Sequence, residues 1–529
     1  MRRFTDLYLA LDGSTRTGDK LAFLTGYFAT VPPEDAAWAV YFLTGRKLKR
    51  VVGRREIAGA ALDATGIPEW LFDASYDAVG DLAETVALLL PETGQAEQRS
   101  LSGWVEQVLK PLAGQPPEVQ RARLIDAWQR GDRDARFVAT KLITGAFRVG
   151  TAKQLVYRGL ATATGVPVAQ VAQNLAGPWE PGPDFIERVR GSREHASATS
   201  LSPYPFFLAH ALEGEPAQLG DPTHWQAEWK WDGVRTQLVV REGGIAVWSR
   251  GEELVSEAFP ELVEAGGSLP PGTVIDGEVL VWLPDAALPA TFGTLQRRLN
   301  RKVIGARLLR EAPVVLCAYD LLEWGGADLR SRPLAERRAR LEGILPRPPA
   351  LRLSPPIDAS SWTALAHLRL QSRAAHAEGL MLKRRDSAYG TGRVRGPWWK
   401  WKVDPYTVDA VLVYAQAGHG RRASLYTDYT FAVWHEGHLV PFAKAYSGLS
   451  QEEINRLDAW IRAHTIERFG PVRQVEPLQV FELAFEGLQS SPRHKSGIAV
   501  RFPRILRWRH DKPPAEADTL ATLRRLAEG

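Results

Sequence analysis

The sequence predicts a multidomain α+β protein, with an all-α N-terminal domain, an α+β domain in the middle and a small β-barrel at the C-terminus. Its 529 residues are enough for about three domains, each with its own core. Apolar residues recur at three- and four-residue spacing in the N-terminal third, whereas short β-type runs begin near residue 205. After Asp404 the pattern changes again, to alternating runs that indicate an antiparallel barrel.

These changes of pattern predict the domain boundaries. We expect a helical domain over residues 1–176, a linker over 177–204, an α+β domain over 205–404, and a barrel with a terminal helix over 405–529. The helical spacing is clearest over 81–90, and a glycine- and proline-rich stretch marks the linker. The strand-like runs are residues 237–240, 245–248, 274–275, 314–316, 408–413, 429–434 and 480–483.

The composition excludes several classes of protein. A single cysteine, Cys317, rules out an intrachain disulfide framework and a cysteine-rich zinc site. The chain has no run of eighteen apolar residues, and no apolar signal core follows its basic N-terminus. We therefore predict a cytoplasmic protein that has no contact with a membrane.

Positive charge is concentrated in one short stretch, although the net charge of the chain is only +5. Six of the ten residues from 46 to 55 are cationic: Arg46, Lys47, Lys49, Arg50, Arg54 and Arg55. Two interpretations remain open. The stretch is either a solvated surface or an edge that contacts nucleic-acid phosphates.

The run from Glu228 to Arg235 (EWKWDGVR) contains the residue best suited to covalent chemistry. A lysine amine attacks phosphorus only when it is deprotonated, which burial and neighbouring cations favour. Tryptophans flank Lys230 on both sides and provide apolar surroundings. The pattern Lys-x-Asp-Gly is weak alone, because a surface lysine in a turn before a strand would look the same.

Two alternating runs around a Gly-Gly pair predict a β-hairpin over residues 234–249. If Val240 pairs with Ile245, then Arg235 pairs with Arg250. Like charges that face each other across strands are destabilising, so an anion such as phosphate is expected between these arginines. The alternative is that both side chains extend into solvent.

Further candidate residues follow on later strands. Asp276 and Glu278 are two residues apart, so they share one face, where they could bind a divalent cation or ribose hydroxyls. Tyr319 ends an apolar strand and could lie against a purine base or belong to the core. Glu378 begins another apolar strand and is again suited to a metal ion or ribose.

A tryptophan- and lysine-rich strand predicts a phosphate site. Alternation over residues 398–402 (WWKWK) places Lys400 and Lys402 on one face and Trp399 and Trp401 on the other. Two lysines on one face of a strand are suited to holding a phosphate. Cations are also dense over residues 501–512, where the alternative is a basic strand that binds a nucleic-acid backbone without chemistry.

The order of these segments resembles the ordered motifs of covalent nucleotidyltransferases, and the last one resembles ATP-dependent DNA ligases in particular. The segments are residues 230–233, 249–251, 276–278, 319–320, 378–379, 400–402 and 501–512. The resemblance extends over about 205–515, and more loosely over 15–24 and 141–150. It implies a helical DNA-binding domain, an ATP-grasp-like nucleotidyltransferase (adenylation) domain and an OB-fold barrel.

The resemblance also assigns roles around the nucleotide. Lys230 becomes the adenylated nucleophile, and Glu228 contacts the adenine. Tyr319 stacks on the base, and Arg235 and Glu278 contact the ribose region. One departure concerns an arginine that the family has five residues after a tyrosine. Val394 stands in its place here, so that either Arg393 or Arg395 takes over the role.

Charged residues are assigned to the phosphates and to a metal ion. The residues expected to neutralise phosphate charge or to orient the leaving pyrophosphate when the barrel domain closes are Arg250, Arg393, Lys400, Lys402, Arg507, Arg509, Asp511 and Lys512. Glu278 and Glu378 are expected to bind Mg²⁺ or Mn²⁺.

The predicted function is sealing of nicked double-stranded DNA by a monomeric enzyme that uses ATP as AMP donor, in DNA repair, replication and recombination. Three alternatives remain: an RNA ligase, a capping-type guanylyltransferase and a non-catalytic nucleic-acid-binding protein. An NAD-dependent ligase is disfavoured because it should carry a four-cysteine zinc site, which one cysteine cannot supply.

Overall fold

The structure is a computed structural model. It describes residues 1–528 except 15, 49–50, 93–98, 146, 148, 177–178, 192–200, 300, 302–303, 346–348, 359–360, 419–424 and 492–493. The chain forms two compact units: Met1–Phe23, Trp38–Thr151 and Asp404–Gly529 make up the first, and Leu24–Ala37 and Ala152–Val403 the second. No helix within the described ranges is long and apolar enough to cross a membrane.

The N-terminal part of the chain is helical, as predicted. Its α-helices are α1 (Arg2–Gly13), α2 (Thr17–Thr30), α3 (Pro33–Leu43), α4 (Arg54–Thr65), α5 (Glu69–Val79), α6 (Leu82–Leu89), α7 (Leu101–Trp104), α8 (Pro117–Gln129), α9 (Arg133–Thr144), α10 (Lys153–Thr164), α11 (Val168–Asn174) and α12 (Phe185–Arg190). The helix predicted over 81–90 is α6, whose N-terminus is capped by Asp81 accepting a hydrogen bond from the amide of Glu84 (3.0 Å).

The predicted linker contains a helix that the composition did not indicate. Phe185 and Val189, four residues apart on α12, are both buried, and the ring of Phe185 lies 5.4 Å from that of Trp179. Apolar residues at this spacing form one face of a helix, and burying that face stabilises even a short segment. Glycine and proline nearby predict a break in regular structure, but they do not show how far it extends.

Among the described residues, the second unit contains two larger sheets and one two-stranded sheet. Its strands are β1 (Phe207–Leu208), β2 (His210–Ala211), β3 (Trp225–Trp231), β4 (Val234–Arg241), β5 (Gly244–Ser249), β6 (Thr273–Val281), β7 (Val314–Trp324), β8 (Ala327–Asp328), β9 (Leu351–Leu353), β10 (Pro356–Ile357), β11 (Ala377–Arg384), β12 (Gly392–Arg393) and β13 (Trp398–Lys402). Of the larger sheets, the first has the order β10-β3-β11-β13-β2, and the second has the order β5-β4-β6-β7-β8 with β9 beside β7. The two-stranded sheet pairs β1 with β12. The strands predicted over 237–240, 245–248, 274–275 and 314–316 are all present.

Helices cover the second of these sheets. They are α13 (Pro260–Gly266), α14 (Phe292–Gln296), α15 (Ala306–Glu311) and α16 (Leu334–Ile344). The helix α17 (Trp362–Leu370) instead packs against the first sheet through Leu365. Leu262 and Leu341, from α13 and α16, pack with Leu238, Ile275 and Leu316 of the sheet in one buried core. This core leaves the polar side chains of β4 and β6 on the opposite face of their strands.

The C-terminal part is mainly antiparallel sheet, as predicted. It consists of β14 (Tyr406–Ala417), β15 (Tyr426–His435), β16 (His438–Ala445), α18 (Gln451–Ala463), β17 (Thr465–Phe469), β18 (Val472–Val475), β19 (Val480–Phe485), β20 (Gly487–Ser490), β21 (Ile498–Arg501), β22 (Arg504–Trp508) and α19 (Leu520–Glu528). The long strand β14 pairs with β15 on one edge and with both β18 and β19 on the other. The strands predicted over 408–413, 429–434 and 480–483 and the terminal helix are confirmed.

Candidate functional site

Three neighbouring strands, β3, β11 and β13, present a floor of charged side chains. Met381 on β11 is paired with both Glu228 on β3 and Lys400 on β13. Side chains that are directly opposite in a sheet point to the same face. Lys230 and Lys402 are each two residues further along their strands, so they belong to the same face and form its outer row.

Lys230 contacts a carboxylate within this outer row. Its Nζ donates a hydrogen bond to Oε2 of Glu378, and Nζ of Lys402 lies 3.2 Å from the same oxygen. Burial opposes ionisation of Glu378, but the charges of Lys230 and Lys402 outweigh it and hold the pKa of this carboxyl below its usual range. The Lys230 side chain is only 22% exposed, so the amine lies in the site and not in bulk water.

Gly379 places Glu378 opposite Lys230. The pairing of β11 with β3 is interrupted between Ala377 and Leu380, which is a β-bulge. Gly379 has a φ of 141°, and a Cβ there would lie 2.3 Å from the carbonyl oxygen of Trp401. Only glycine fits this position, and its bulge turns Glu378 toward the lysines.

Gly233 of the Lys-x-Asp-Gly pattern has a packing role. A Cβ at this position would lie 2.3 Å from the carbonyl oxygen of Val279 on β6. The turn between β3 and β4 therefore approaches β6 more closely than a side chain would allow. This approach brings β3, which carries Lys230, next to the strand that carries Glu278.

Lys400 lies among other cations. Burial lowers its pKa, and the charges of Arg393, Lys230 and Lys402 lower it further. Trp399 is buried on the opposite face in an apolar cluster, so the predicted alternation of lysine and tryptophan is confirmed. Of the two arginines around Val394, Arg393 contributes to the field at Lys400, whereas Arg395 lies over the ring of Trp399 at 5.8 Å.

The predicted hairpin has the predicted register. Val240 pairs with Ile245, and the amide of Arg250 donates to the carbonyl oxygen of Arg235 (3.0 Å). The prediction of a phosphate between the two arginines is corrected here, because the anion that binds Arg235 is the carboxylate of Asp276. Nη2 of Arg235 donates to Oδ2 of Asp276 at 2.7 Å, and Nε donates to Oδ1 at 3.2 Å. The side chain of Arg250 is exposed.

Asp276 is the centre of a buried hydrogen-bond network. Its side chain is 0% exposed, and besides Arg235 it accepts hydrogen bonds from the hydroxyls of Tyr389 (2.6 Å) and Tyr319 (3.3 Å). The hydroxyl of Tyr389 also accepts from the amide of Phe207 (3.3 Å). Asp276 is therefore fully occupied by protein groups, which does not fit the role of metal or ribose ligand that its position on the strand suggested.

Glu278 is the second carboxylate near Lys230. It is half-buried, and burial raises its pKa to about 7, although the positive charges of Lys230 and Arg235 oppose this. Within the described residues, no three or more His, Cys, Asp or Glu side chains converge as in a metal site made only by protein. A cation held by Glu278 and Glu378 would take its other ligands from phosphate and water, as Mg²⁺ commonly does.

Glu228 lies deeper on the floor and is fully buried. Its Oε2 accepts from Nζ of Lys383 (2.8 Å), and its Oε1 accepts from Nη1 of Arg338 (3.3 Å). Nζ of Lys383 also lies 4.0 Å from the ring centroid of Tyr319, at a cation–π distance. Both oxygens of Glu228 thus have protein partners in the structure, and the contact with adenine expected for this side chain stays a prediction.

Sequence reasoning missed Lys383, Arg338 and a role for Tyr389. Lys383 lies at the end of an apolar run on β11, where a lysine would ordinarily point to solvent, yet it is 1% exposed. Its position two residues after Met381 assigns it to the polar face of the floor, and this spacing was the available signal. Arg338 lies on α16, and no pattern in the sequence connects it to Glu228.

A second charged cluster lies in the C-terminal sheet of the first unit. Arg509 Nη1 donates to both oxygens of Asp409 (3.0 and 3.2 Å), and Nζ of Lys512 donates to Oδ2 of the same carboxylate (2.7 Å). Arg509 Nη2 also donates to Asp511 (2.9 Å). The hydrogen bonds from Arg509 lower the pKa of Asp511 to about 2.

The basic stretch over 46–55 lies before and at the start of α4. Lys47, Arg54 and Arg55 are exposed, Arg46 is half-buried, and the guanidinium of Arg54 lies 4.3 Å from the ring centroid of Tyr76. Lys49 and Arg50 lie outside the described residues. Arginines in the first turn of a helix are opposed by its dipole, so an external anion would be favourable there.

Three family models match the chain in order: DNA ligase N terminus over residues 1–161, ATP dependent DNA ligase domain over 207–402, and ATP dependent DNA ligase C terminal region over 422–512. A probable DNA ligase of Koribacter versatilis is 32% identical to this chain, over 97% of this chain and 94% of its own length. A DNA ligase of Natronomonas pharaonis is also 32% identical, over 89% of this chain and 87% of its own. The solved structure Pmar-Lig_PreS3 shares the fold, with a TM-score of 0.60, 14% identity and coverage of 96% of this chain and 99% of that one.

Proposed function

Because the chain belongs to the ATP-dependent DNA ligases, we propose that it seals nicks in duplex DNA in three steps through a Lys230–AMP intermediate. The observation that supports this most directly is the outer row of the floor, where Lys230 lies against Glu378 with Lys402 and Lys400 beside it. A nucleophilic amine next to a group of cations is suited to attack on a bound triphosphate.

In the first step the Lys230 amine, after losing a proton, forms a bond to the α-phosphorus of ATP, and pyrophosphate leaves. In the second step the 5′-phosphate of the nick attacks the same phosphorus, which restores the amine and forms a DNA adenylate. In the third step the 3′-hydroxyl attacks the 5′-phosphate, a phosphodiester forms and AMP leaves. Each step moves negative charge between phosphates, so fixed cations and a positioned nucleophile contribute most of the catalysis.

The side chains of the floor have distinct roles in this proposal. Glu378 orients the Lys230 amine through their hydrogen bond. Lys400, Lys402 and Arg393 neutralise phosphate charge, and the exposed Arg250 is available for the same purpose.

The hydrogen bonds around Asp276 fix the side of the site that β4 and β6 form. Arg235 faces the ribose region, and Asp276 and Tyr389 hold its guanidinium in place. Glu228 stabilises the buried end of the floor through its ion pairs with Lys383 and Arg338. Tyr319 contributes its ring to the base site, with the ammonium of Lys383 against it.

Glu278 and Glu378 fit a hard divalent cation, because two carboxylates with further oxygens from phosphate and water form a usual Mg²⁺ or Mn²⁺ site. Such an ion, when bound, neutralises phosphate charge. Arg507, Arg509 and Lys512, with Asp511, are proposed to orient the pyrophosphate.

DNA binding is proposed to use the helical domain, residues 1–176, and an OB-fold barrel, residues 405–529, with the adenylation domain over 205–404 and a linker over 177–204. The cations at the start of α4 support a phosphate contact in the helical domain, because the helix dipole disfavours them without an anion. Contacts of this kind read the backbone and not the bases, so affinity for a nicked duplex should fall steeply with salt and depend little on sequence. The enzyme is proposed to act as a monomer.

The experiment is incubation with ATP labelled at the α-phosphate in the presence of Mg²⁺, followed by addition of nicked DNA. Wild type should form a labelled protein adduct that disappears as the nick is sealed, and labelled GTP should form none. Lys230→Ala should form no adduct. Lys153→Ala is the matched control, since Lys153 is also a half-buried lysine paired with a glutamate, Glu252 at 2.5 Å, and it should form the adduct at the normal level. An adduct on Lys230→Ala would refute the assignment of the nucleophile.

A further inference from the structure

We propose that Asp409 is a positioning residue for the adenylation step, and that its carboxylate holds Arg509 and Lys512 in the arrangement in which they receive the leaving pyrophosphate. The inference rests on the proposed function, because it needs the C-terminal cations to act on pyrophosphate. It adds a residue about a hundred positions away from those cations in the chain. Neither spacing nor charge pattern connects Asp409 with them.

Asp409 is held firmly by its backbone. Its amide donates to Oδ2 of Asp518 (2.8 Å), and the amide of Asp518 donates to the carbonyl oxygen of Asp409 (2.8 Å). On the other side, β14 pairs with β19, with Asp409 opposite Glu482. A carboxylate on a strand fixed from both sides is a rigid anchor for the flexible side chains that it binds.

Arg509 and Lys512 follow the strand β22, and the carboxylate of Asp409 binds both of them. The strand β22 ends at Trp508, so Arg509 and Lys512 lie on the segment beyond it. Both side chains converge on Oδ2 of Asp409, at 3.0 Å from Nη1 of Arg509 and 2.7 Å from Nζ of Lys512. Long cationic side chains lose rotamer freedom when they are ordered, and here the shared carboxylate orders both.

Exposure separates Asp409 from the other acids near these cations. Asp511, which also pairs with Arg509, has 64% of its side chain exposed, whereas that of Asp409 is 11% exposed. An exposed ion pair is worth little and can exchange for a phosphate, whereas a buried pair is costly to break. The pair with Asp511 is therefore the weaker of the two, and the pairs with Asp409 persist while Arg509 and Lys512 receive pyrophosphate.

The test compares two reactions of the same protein sample. One is adenylation by labelled ATP, which releases pyrophosphate, and the other is sealing of a nick that already carries AMP on its 5′-phosphate, which does not. The Asp409→Asn protein should adenylate at least tenfold more slowly than wild type and should seal the adenylated nick at the wild-type rate. The quantity compared between variants is the rate of adenylation divided by the rate of sealing. A smaller folded fraction lowers both rates equally and leaves this ratio unchanged.

Asp458→Asn is the matched control. The side chain of Asp458 is 11% exposed like that of Asp409, lies in the same C-terminal region and pairs with an arginine, Arg462 at 2.8 Å. It therefore reproduces the loss of a buried acid with no link to Arg509, and the ratio of its two rates should stay at the wild-type value. A second variant, Asp518→Ala, keeps the Asp409 carboxylate but removes the side chain that anchors it, and should lower the ratio less than Asp409→Asn.

The inference is overturned if Asp409→Asn slows both reactions equally, because the role is then structural. It is also overturned if adenylation becomes faster, because Asp409 then competes with pyrophosphate for the cations. Should Asp409→Asn fail to fold, an unchanged ratio in Asp518→Ala overturns it equally. Failure of the proposed function is a different result, since wild type would then form no adduct with ATP at all.

Discussion

The guanidinium of Arg235 is bound by the buried carboxylate of Asp276, with Nη2 and Nε of the arginine 2.7 and 3.2 Å from the two oxygens. The two residues are forty-one positions apart in the chain and lie on the neighbouring strands β4 and β6. This pair replaces the phosphate that the charge pattern alone suggested. It also shows that part of the positive charge near Lys230 is compensated by the protein before any nucleotide binds.

Removing the counter-ion of Arg235 should destabilise the second unit. Asp276→Asn leaves a largely buried arginine without its negative partner, and we expect a loss of about 3–5 kcal/mol in the free energy of unfolding, measured with urea. Asp386→Asn is the control, since that carboxylate is 66% exposed and its partner Arg384 is 50% exposed, and its loss should be below about 1 kcal/mol. Similar losses in the two variants would contradict the importance of burial.

The hydroxyl of Tyr389 should matter for both stability and adenylation. In Tyr389→Phe, Asp276 loses a 2.6 Å hydrogen bond and Arg235 loses an acceptor at 3.3 Å. We expect the free energy of unfolding to fall by about 1–2 kcal/mol and the adenylation rate by roughly tenfold. Tyr204→Phe removes a comparable buried bond, 2.6 Å to Glu323, and should lower stability alone. Unchanged adenylation in Tyr389→Phe would exclude the residue from the site.

Lys383 and Glu228 should be strongly coupled. Each is about 1% exposed, and their charged groups are 2.8 Å apart, so either single change leaves a buried charge short of a partner. We expect Lys383→Met and Glu228→Gln to cost about 3–5 kcal/mol each. The double variant should cost at least about 1 kcal/mol less than the sum. Urea unfolding curves of wild type, the two single variants and the double variant give these losses. Additive losses would show that the pair is not coupled.

Gly233 should not tolerate even one methyl group. Its missing Cβ would approach the carbonyl oxygen of Val279 to 2.3 Å, so Gly233→Ala must separate the turn after β3 from β6. We expect a loss of about 2–4 kcal/mol in unfolding free energy, together with slower adenylation because Lys230 moves with the turn. Gly343→Ala, in α16 with open space around the position, should instead be neutral or slightly stabilising. Equal tolerance at the two positions would refute the close approach.

The rate at which a disulfide reagent labels the buried thiol of Cys317 should report unfolding. Burial raises its pKa to about 12, so at pH 8 the folded protein has almost no thiolate to react with a disulfide reagent such as DTNB. Labelling should require unfolding, and its rate should rise with urea. Fast labelling of the native protein at pH 8 would contradict the burial.

The same thiol should make stability depend on pH. An unfolded thiol ionises near pH 8.5, whereas the folded one stays protonated until about 12, so the folded state binds more protons between these values. Stability from this group is therefore complete below the unfolded pKa and is lost as the pH rises toward the folded one. The difference in unfolding free energy between wild type and Cys317→Ala should shrink from pH 8 to pH 10. A constant difference would exclude the linkage.

The register of the 234–249 hairpin could be predicted because it follows from the length of a local loop. The pairing of Val240 with Ile245 fixes every other pair by counting, and the structure has that register. The lysines at 400 and 402 were likewise assigned to one face by the period of a strand. The helix α12 could not be predicted in the same way, because two buried residues are too few to form a pattern.

The sequence by itself determined the order of the helical and sheet-rich regions, the faces of the strands and most of the charged residues proposed for the nucleotide site, because these depend on periodicity and spacing along the chain. The tertiary structure alone decided which charges meet. It placed Glu378 against Lys230, Asp276 against Arg235, and Asp409 against Arg509 and Lys512. Partners so distant in sequence are brought together by strand order and register across a sheet, and a local pattern contains no information about either.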